Sequence, residues 1–248
     1  MSEKNWKSVL GEVLIGIIIL VGIVFLIVIS PYFQEQGHSR TSITENGEYY
    51  VVHHEWNYDG SKWTYDTEIP KSSYEYFSNK DRTNYYAEYV TNPADDEWMN
   101  RLGKQFKDIA SEEGWGSFKA VSFVLAFVQN MPYTNDKVTT GYDEYPRYPI
   151  ETIIDGGGDC EDSAILFASI IRKMNYDSAL LKLEADKHMA GGIAVSQGLI
   201  SNWDQPYSLT YYTHQGSNYA YCETTGVGWE LGEKPGEITG ISAQVIDV

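Results

Sequence analysis

The segment Asp155 to Met174, DGGGDCEDSAILFASIIRKM, sets three glycines and several acidic residues around Cys160, the first of only two cysteines in the 248-residue chain. After it, Ile165, Ala168, Ile171 and Met174 recur at helical spacing while Ser163, Arg172 and Lys173 are polar, which predicts a helix beginning at or just before Cys160. A cysteine placed there has its thiolate favoured by the helix dipole and by unpaired N–H groups, which makes it nucleophilic, and the same N–H groups can hold an oxyanion. The run Gly156-Gly157-Gly158 lets backbone turn sharply and approach a substrate closely. The alternative is a buried structural cysteine at a helix start. A phosphate-cradling loop fits poorly: no lysine follows the glycines, and Asp159, Glu161 and Asp162 would repel a phosphate.

A thiol nucleophile needs a base, and the base needs an orienting group. The five histidines are His38, His53, His54, His188 and His214. Only His188 opens an apolar run, HMAGGIAV, directly after the helix-strand unit that carries Cys160. The orienting group is expected to be a carboxylate on a neighbouring strand. Glu223, in YCETT, is an acid within an otherwise uncharged strand pattern, where burial without a partner is costly. A metal site built from Cys160, His188 and Cys222 lacks the close paired ligands of zinc-binding sequences.

These residues carry a resemblance. GGGDCEDSAILFASIIRKM, HMAGGIAV and YCETT resemble the transglutaminase-like (papain-like) cysteine enzyme superfamily, over roughly Asn92 to Gly232. The stretch TTGYDEYPRYPIETIIDGGGDCEDSA is similar to a membrane-attached prokaryotic branch, in particular an archaeal one. The resemblance implies a papain-like core in which helices pack on an antiparallel sheet. It also implies Cys160 as nucleophile, His188 as base and Glu223 as orienting acid. Two departures stand out: MAGGIAV follows the histidine where many members have Trp and an acid, and the last acid is Glu rather than Asp. The longer acid still reaches an imidazole, but substrate choice is not transferable from the animal protein cross-linking enzymes. The implied chemistry is thiol-mediated acyl transfer on amide or peptide bonds, hydrolytic (peptidase or amidase) in preference to cross-linking. The Cys160 N–H would serve the oxyanion and Gln129 is a conceivable second donor. No cofactor and no metal is expected. The alternative is a non-catalytic module on the same fold that holds a peptide or glycan on the Trp56/Trp63 face and the tyrosine-rich loop.

The elements that must position these groups follow from patterning. Val13 to Ile29 is uncharged, and Ser30 to Phe33 prolong the stretch toward the ~20 residues that span a bilayer. Lys4 and Lys7 precede it and the next basic residue is Arg40, so the positive-inside rule puts residues 1–34 as a cytoplasmic tip and transmembrane helix, single-pass, with the rest extracytoplasmic. The expected substrate is then a protein or peptide, with the cell envelope as its source. The net charge of −17 argues against nucleic acid as a partner. Residues 35–91 form a linker and β-hairpin region, in which Asp59-Gly60 turns so that Trp56 faces Trp63 and His54 faces Tyr65; cross-strand packing is the plain account of those aromatics. Residues 92–248 form the catalytic domain. Its apolar stripes predict one helix through Trp98, Leu102, Phe106 and Ile109 and another through Phe118, Val121, Val124, Leu125 and Val128. An ordered loop, NDKVTTGYDEYPRYP, leads to the glycines, and SALLKLE, HMAGGIAV, YAYCETT and VGWELG read as strands. Helices first and strands after indicate an α+β class.

Overall fold

The computed structural model describes residues 40–142 and 144–248. The expected transmembrane segment, Val13 to Ile29, lies outside the described residues, and no helix among those described is long and apolar enough to cross a membrane. The fold is α+β with antiparallel sheets.

Three strands come first: β1 (Arg40–Asn46), β2 (Tyr49–Tyr58) and β3 (Ser61–Pro70), paired antiparallel in the order β1-β2-β3. Asp59 (φ 51°) and Gly60 (φ 74°) turn β2 into β3 with both central residues at positive φ, as a two-residue hairpin requires. The register pairs Trp56 with Trp63 and His54 with Tyr65. The aromatic face is packed rather than offered to a ligand. The Trp56 ring lies 5.4 Å from that of Phe123 and 5.1 Å from that of Phe127, and Trp63 is 4.9 Å from Phe123. Val52, Trp56, Tyr65 and Ile69 belong to the same apolar cluster as the helices that follow, so this sheet shares the main core.

The helical part comprises α1 (Lys71–Ser78), α2 (Ala87–Thr91), α3 (Asp96–Glu112), α4 (Ser117–Gln129), α5 (Asp136–Thr139), α6 (Pro149–Asp155) and α7 (Cys160–Lys173). The predicted loop before the glycines therefore contains α5 and leads into α6, which starts at Pro149 because proline's fixed φ and missing N–H suit the first helical turn. Helix α7 is the axis of the fold: every residue from Glu161 to Ile171 is buried.

A five-stranded antiparallel sheet covers one side of α7. It comprises β4 (Ser178–Leu183), β5 (His188–Val195), β6 (Tyr211–His214), β7 (Ser217–Cys222) and β8 (Gln244–Asp247), in the order β6-β7-β5-β4-β8; α8 (Gln197–Ser201) leaves β5. Gly191 of β5 sets the spacing, because a Cβ there would overlap the Phe167 ring of α7. One strand expectation changes. VGWELG is turns, not a strand, its backbone engaged by Gln129 and by the Tyr221 carbonyl instead of a ladder. The sheet edges are the short strands β6 and β8.

One buried carboxyl makes stability depend on pH. Asp95, just before α3, is 2 % exposed and its Oδ2 has no hydrogen-bond partner. Burial, and secondarily the charge of Asp96, push its carboxyl up to about 7 from 3.8. The folded chain therefore takes up a proton as pH falls through the window between those values, and stability drops as pH rises through it. Asp95→Asn is expected to raise the thermal midpoint at pH 8, by on the order of 2–4 kcal/mol of stability, and to change it little at pH 4. Equal effects at the two pH values would refute the assignment.

Candidate active site

The start of α7 is fixed by a network that the sequence reading did not single out. The Asp159 N–H donates to Asp162 Oδ2 (3.2 Å), while Gly158 N–H donates to the Pro132 carbonyl (3.3 Å) and Thr134 N–H to that of Gly158 (2.9 Å). A Cβ at Gly157 would overlap the Pro132 carbonyl and one at Gly158 the Asp162 carboxylate. In this structure the glycines thus let the chain approach itself. Asp162 also accepts from Arg147, through the backbone N–H (2.6 Å) and through Nη1. The guanidinium, 1 % exposed, further donates to Asp136 Oδ1 (2.7 Å), Asp155 Oδ2 (2.9 Å) and Thr139 Oγ1 (2.8 Å). A lone arginine among the tyrosines and prolines of EYPRYP was the available signal for it.

Cys160 is the first residue of α7, half-buried, and its thiol donates to Glu161 Oε2 at 3.3 Å. The backbone N–H of Met189, the residue after His188, favours the thiolate, so the nucleophile candidate lies near the opening of β5. The expectation of a thiolate favoured by the helix start does not match this resting geometry. Burial, then the neighbouring Glu161 carboxylate, push the thiol well above its ordinary value, with only the Met189 N–H pulling the other way among the main causes. The helix dipole is outweighed because the first turn of α7 supplies carboxylates of its own.

His188 and Glu223 meet as expected: Nε2 and Oε2 are 3.0 Å apart. Glu223 lies just past the end of β7 and is 2 % exposed. Its Oε2 also accepts from the Tyr221 hydroxyl, and its Oε1 from the Thr225 N–H (2.9 Å) and hydroxyl (2.5 Å). Burial alone would raise this carboxyl; the His188 contact, followed by Thr225 and Tyr221, more than offsets that and holds it at about 2. An ionised carboxylate only accepts, so the shared proton belongs to His188 Nε2, which leaves Nδ1 unprotonated in the neutral ring. Among the described residues Nδ1 makes no hydrogen bond. It is the nitrogen free to act as a base.

Gln129, at the end of α4, is not an oxyanion donor in this arrangement. Its Nε2 donates to the carbonyls of Glu223 and Trp229 (both 2.8 Å), and its Oε1 accepts the Gly228 N–H (3.2 Å). Both amide hydrogens are committed to the segment that carries Glu223. Strand alternation separates the second thiol: Tyr221 turns toward Glu223, whereas Cys222 is buried in the core beside α7 with Ala220. Cys160, His188 and Cys222 therefore form no ligand set; among the described residues the acids and thiols that converge at metal-binding separation are Asp136, Asp159 and Glu161. A groove of ≈ 440 Å³ between β3 and α3, lined by Asp66, Glu68, Arg101 and Gln105 among others, contains none of Cys160, His188 and Glu223.

His53 and His214 lie on surface ion pairs, with Asp66 and Asp247 respectively. His54 is buried and held neutral, pushed down to about 4 by burial. No family model matches the chain, and no curated protein matches it.

Proposed function

We propose that this chain is a transglutaminase-like cysteine enzyme that transfers an acyl group from an amide or peptide bond through a thioester on Cys160, with water as the usual final acceptor. The observation that carries the reading is the His188–Glu223 pair, held by Tyr221 and Thr225, on the residue before Met189, whose backbone N–H favours the Cys160 thiolate. Nδ1 of His188 takes the thiol proton as Sγ bonds to the carbonyl carbon. The Cys160 N–H, which has no intrahelical acceptor at the first helical position, supports the oxyanion. The imidazolium then protonates the leaving amine, and water attacks the thioester by the reverse sequence. With the resting thiol protonated, this is general-base catalysis in the attack step, not reaction of a preformed thiolate. The α7-on-sheet arrangement is consistent with a papain-like core. An N-terminal anchor at Val13 to Ile29 with the domain outside the cell would bring it to envelope proteins or peptides. The binding-module alternative loses the Trp56/Trp63 part of its platform, because Trp56 is buried and Trp63 is packed against Trp115 and Phe123, while Tyr142 of the tyrosine-rich loop stays exposed.

Iodoacetamide tests the reading without a known substrate. Brief treatment of the folded full chain in detergent at about pH 8 should alkylate Cys160 and spare the fully buried Cys222, with the contrast erased on unfolding. His188→Ala should slow Cys160 alkylation at least several-fold with the fold intact. An unchanged rate in that variant, or equal alkylation of both cysteines in the folded protein, would remove the proposed base–nucleophile pair.

A further inference from the structure

An acyl-transfer site holds the charge that develops on the substrate's carbonyl oxygen with preorganised donors, and the Cys160 N–H is one. Gln129, the side chain that the sequence offers as the other, is committed to the segment around Glu223. Two tyrosine hydroxyls lie in the field of the Cys160 sulfur, those of Tyr86 and Tyr133. Tyr86 is buried and its hydroxyl donates to Glu144 Oε1 at 2.9 Å, so its proton is taken. Tyr133 is 56 % exposed, and among the described residues its hydroxyl has no hydrogen-bond partner.

The backbone of Tyr133 is fixed at the start of α7. It forms a parallel bridge with Gly158, flanked by the Gly158 N–H donating to the Pro132 carbonyl (3.3 Å) and the Thr134 N–H to the Gly158 carbonyl (2.9 Å). Bridged neighbours stand about 4.8 Å apart. Gly158 is two Cα steps from Cys160, at most about 7.6 Å, a distance that a tyrosine side chain spans. Partial burial, then the charges of Cys160, Asp159, Glu161 and Asp136, push the phenol up to about 12 from 10.0, so it stays protonated and able to donate. We propose that the Tyr133 hydroxyl is the second donor of the oxyanion site, alongside the Cys160 N–H. The inference rests on the acyl-transfer reading and adds a catalytic residue to it. As Sγ bonds to the carbonyl carbon, the thiol proton passes to His188 Nδ1 and the π pair of the carbonyl moves onto oxygen. The phenol donates a hydrogen bond to that oxygen and keeps its own proton. Collapse returns the pair, restores the carbonyl and expels the leaving amine with the proton from His188. Glu161, 3.3 Å from Sγ, opposes negative charge at this place, so a neutral donor aimed at the tetrahedral oxygen contributes most at that step.

Two small reagents separate this role from a structural one. Acetyl transfer from p-nitrophenyl acetate to Cys160 passes through a tetrahedral oxyanion and releases p-nitrophenolate, whereas alkylation by iodoacetamide displaces iodide and forms no oxyanion. The full chain in detergent is treated with each reagent at about pH 8, and modification of Cys160 is followed by mass spectrometry. Tyr133→Phe keeps the exposed ring and loses only the hydroxyl. It should slow acetylation at least about tenfold and leave alkylation within about twofold of wild type. Tyr76→Phe, an exposed ring on α1, should change neither rate. Acetylation of Tyr133→Phe at the wild-type rate would overturn the proposal. So would equal slowing of both reactions, since Tyr133 would then shape the thiol's surroundings instead of holding the oxyanion. A wild-type chain acetylated at Cys160 no faster than when unfolded would bring down the acyl-transfer reading itself, and the proposal with it.

Discussion

Replacing Glu223 by Gln is expected to slow acylation of Cys160 by a peptidyl vinyl sulfone or a cleavable peptide amide by on the order of 10²–10⁴-fold, with the fold retained. The side chains are nearly isosteric, and the two Thr225 donors at Oε1 still meet an oxygen, while the Tyr221 hydroxyl on the Oε2 side can rotate to accept from the amide nitrogen. What changes is the face toward His188. The ionised carboxylate at 3.0 Å keeps the ring proton on Nε2 and the lone pair on Nδ1. An amide nitrogen in the same place donates, which drives the ring proton to Nδ1 and removes the lone pair proposed to act as base. The charge that stabilises the imidazolium is lost at the same step. Cys160→Ala should abolish acylation outright and provides the floor. The decisive comparison is the second-order rate constant of the two variants, with circular dichroism and thermal midpoints as controls for folding. Full activity of Glu223→Gln, in an assay that Cys160→Ala silences, would show that the His188–Glu223 contact has no catalytic part.

That pair was legible because its chemistry leaves a mark in the sequence: a lone acid in an apolar strand pattern demands a partner, and one histidine opened an apolar strand in the adjoining unit. The helix start at Cys160 and the Asp59-Gly60 hairpin were legible for similar local reasons, a change to helical period in one case and a positive-φ turn in the other. The thiol's environment was not. A helix N-terminus raises the expectation of a thiolate, but how far Glu161 turns back toward Sγ is decided by side-chain packing, and that contact reverses the local field. VGWELG failed for a different reason. Its alternation suits a strand, yet Gln129, some hundred positions earlier, occupies the carbonyls and N–H that a ladder would use. Contacts of that sequence separation have no periodic signature.

Arg147 showed in the sequence only as a lone arginine in EYPRYP, and its loss should have the largest effect on stability. Arg147→Met keeps much of the aliphatic volume but leaves the Asp136 and Asp162 carboxylates, 1 % and 0 % exposed, without their cation. Removing one partner of a buried pair typically costs about 3–5 kcal/mol, and two carboxylates lose theirs here. Against a total stability of about 5–15 kcal/mol this takes up much of the margin, so the denaturant midpoint should fall sharply. Arg147→Lys should fall in between, because an ammonium keeps the charge but cannot reach Asp136, Asp155, Asp162 and Thr139 at once as the guanidinium does. The double variant Arg147→Met/Asp162→Asn should lose less than the sum of the two single losses, since it removes one of the stranded charges along with the arginine. The effect should reach the site as well. Asp162 joins the Arg147 backbone to the Asp159 N–H at the start of α7, so loosening it frees the residue before the nucleophile. In Arg147→Lys, still folded, Cys160 acylation should therefore slow more than the fraction unfolded explains. Additive single and double losses, or a midpoint for Arg147→Met equal to wild type, would mean that the buried ion network is not what holds the Cys160 helix start in place.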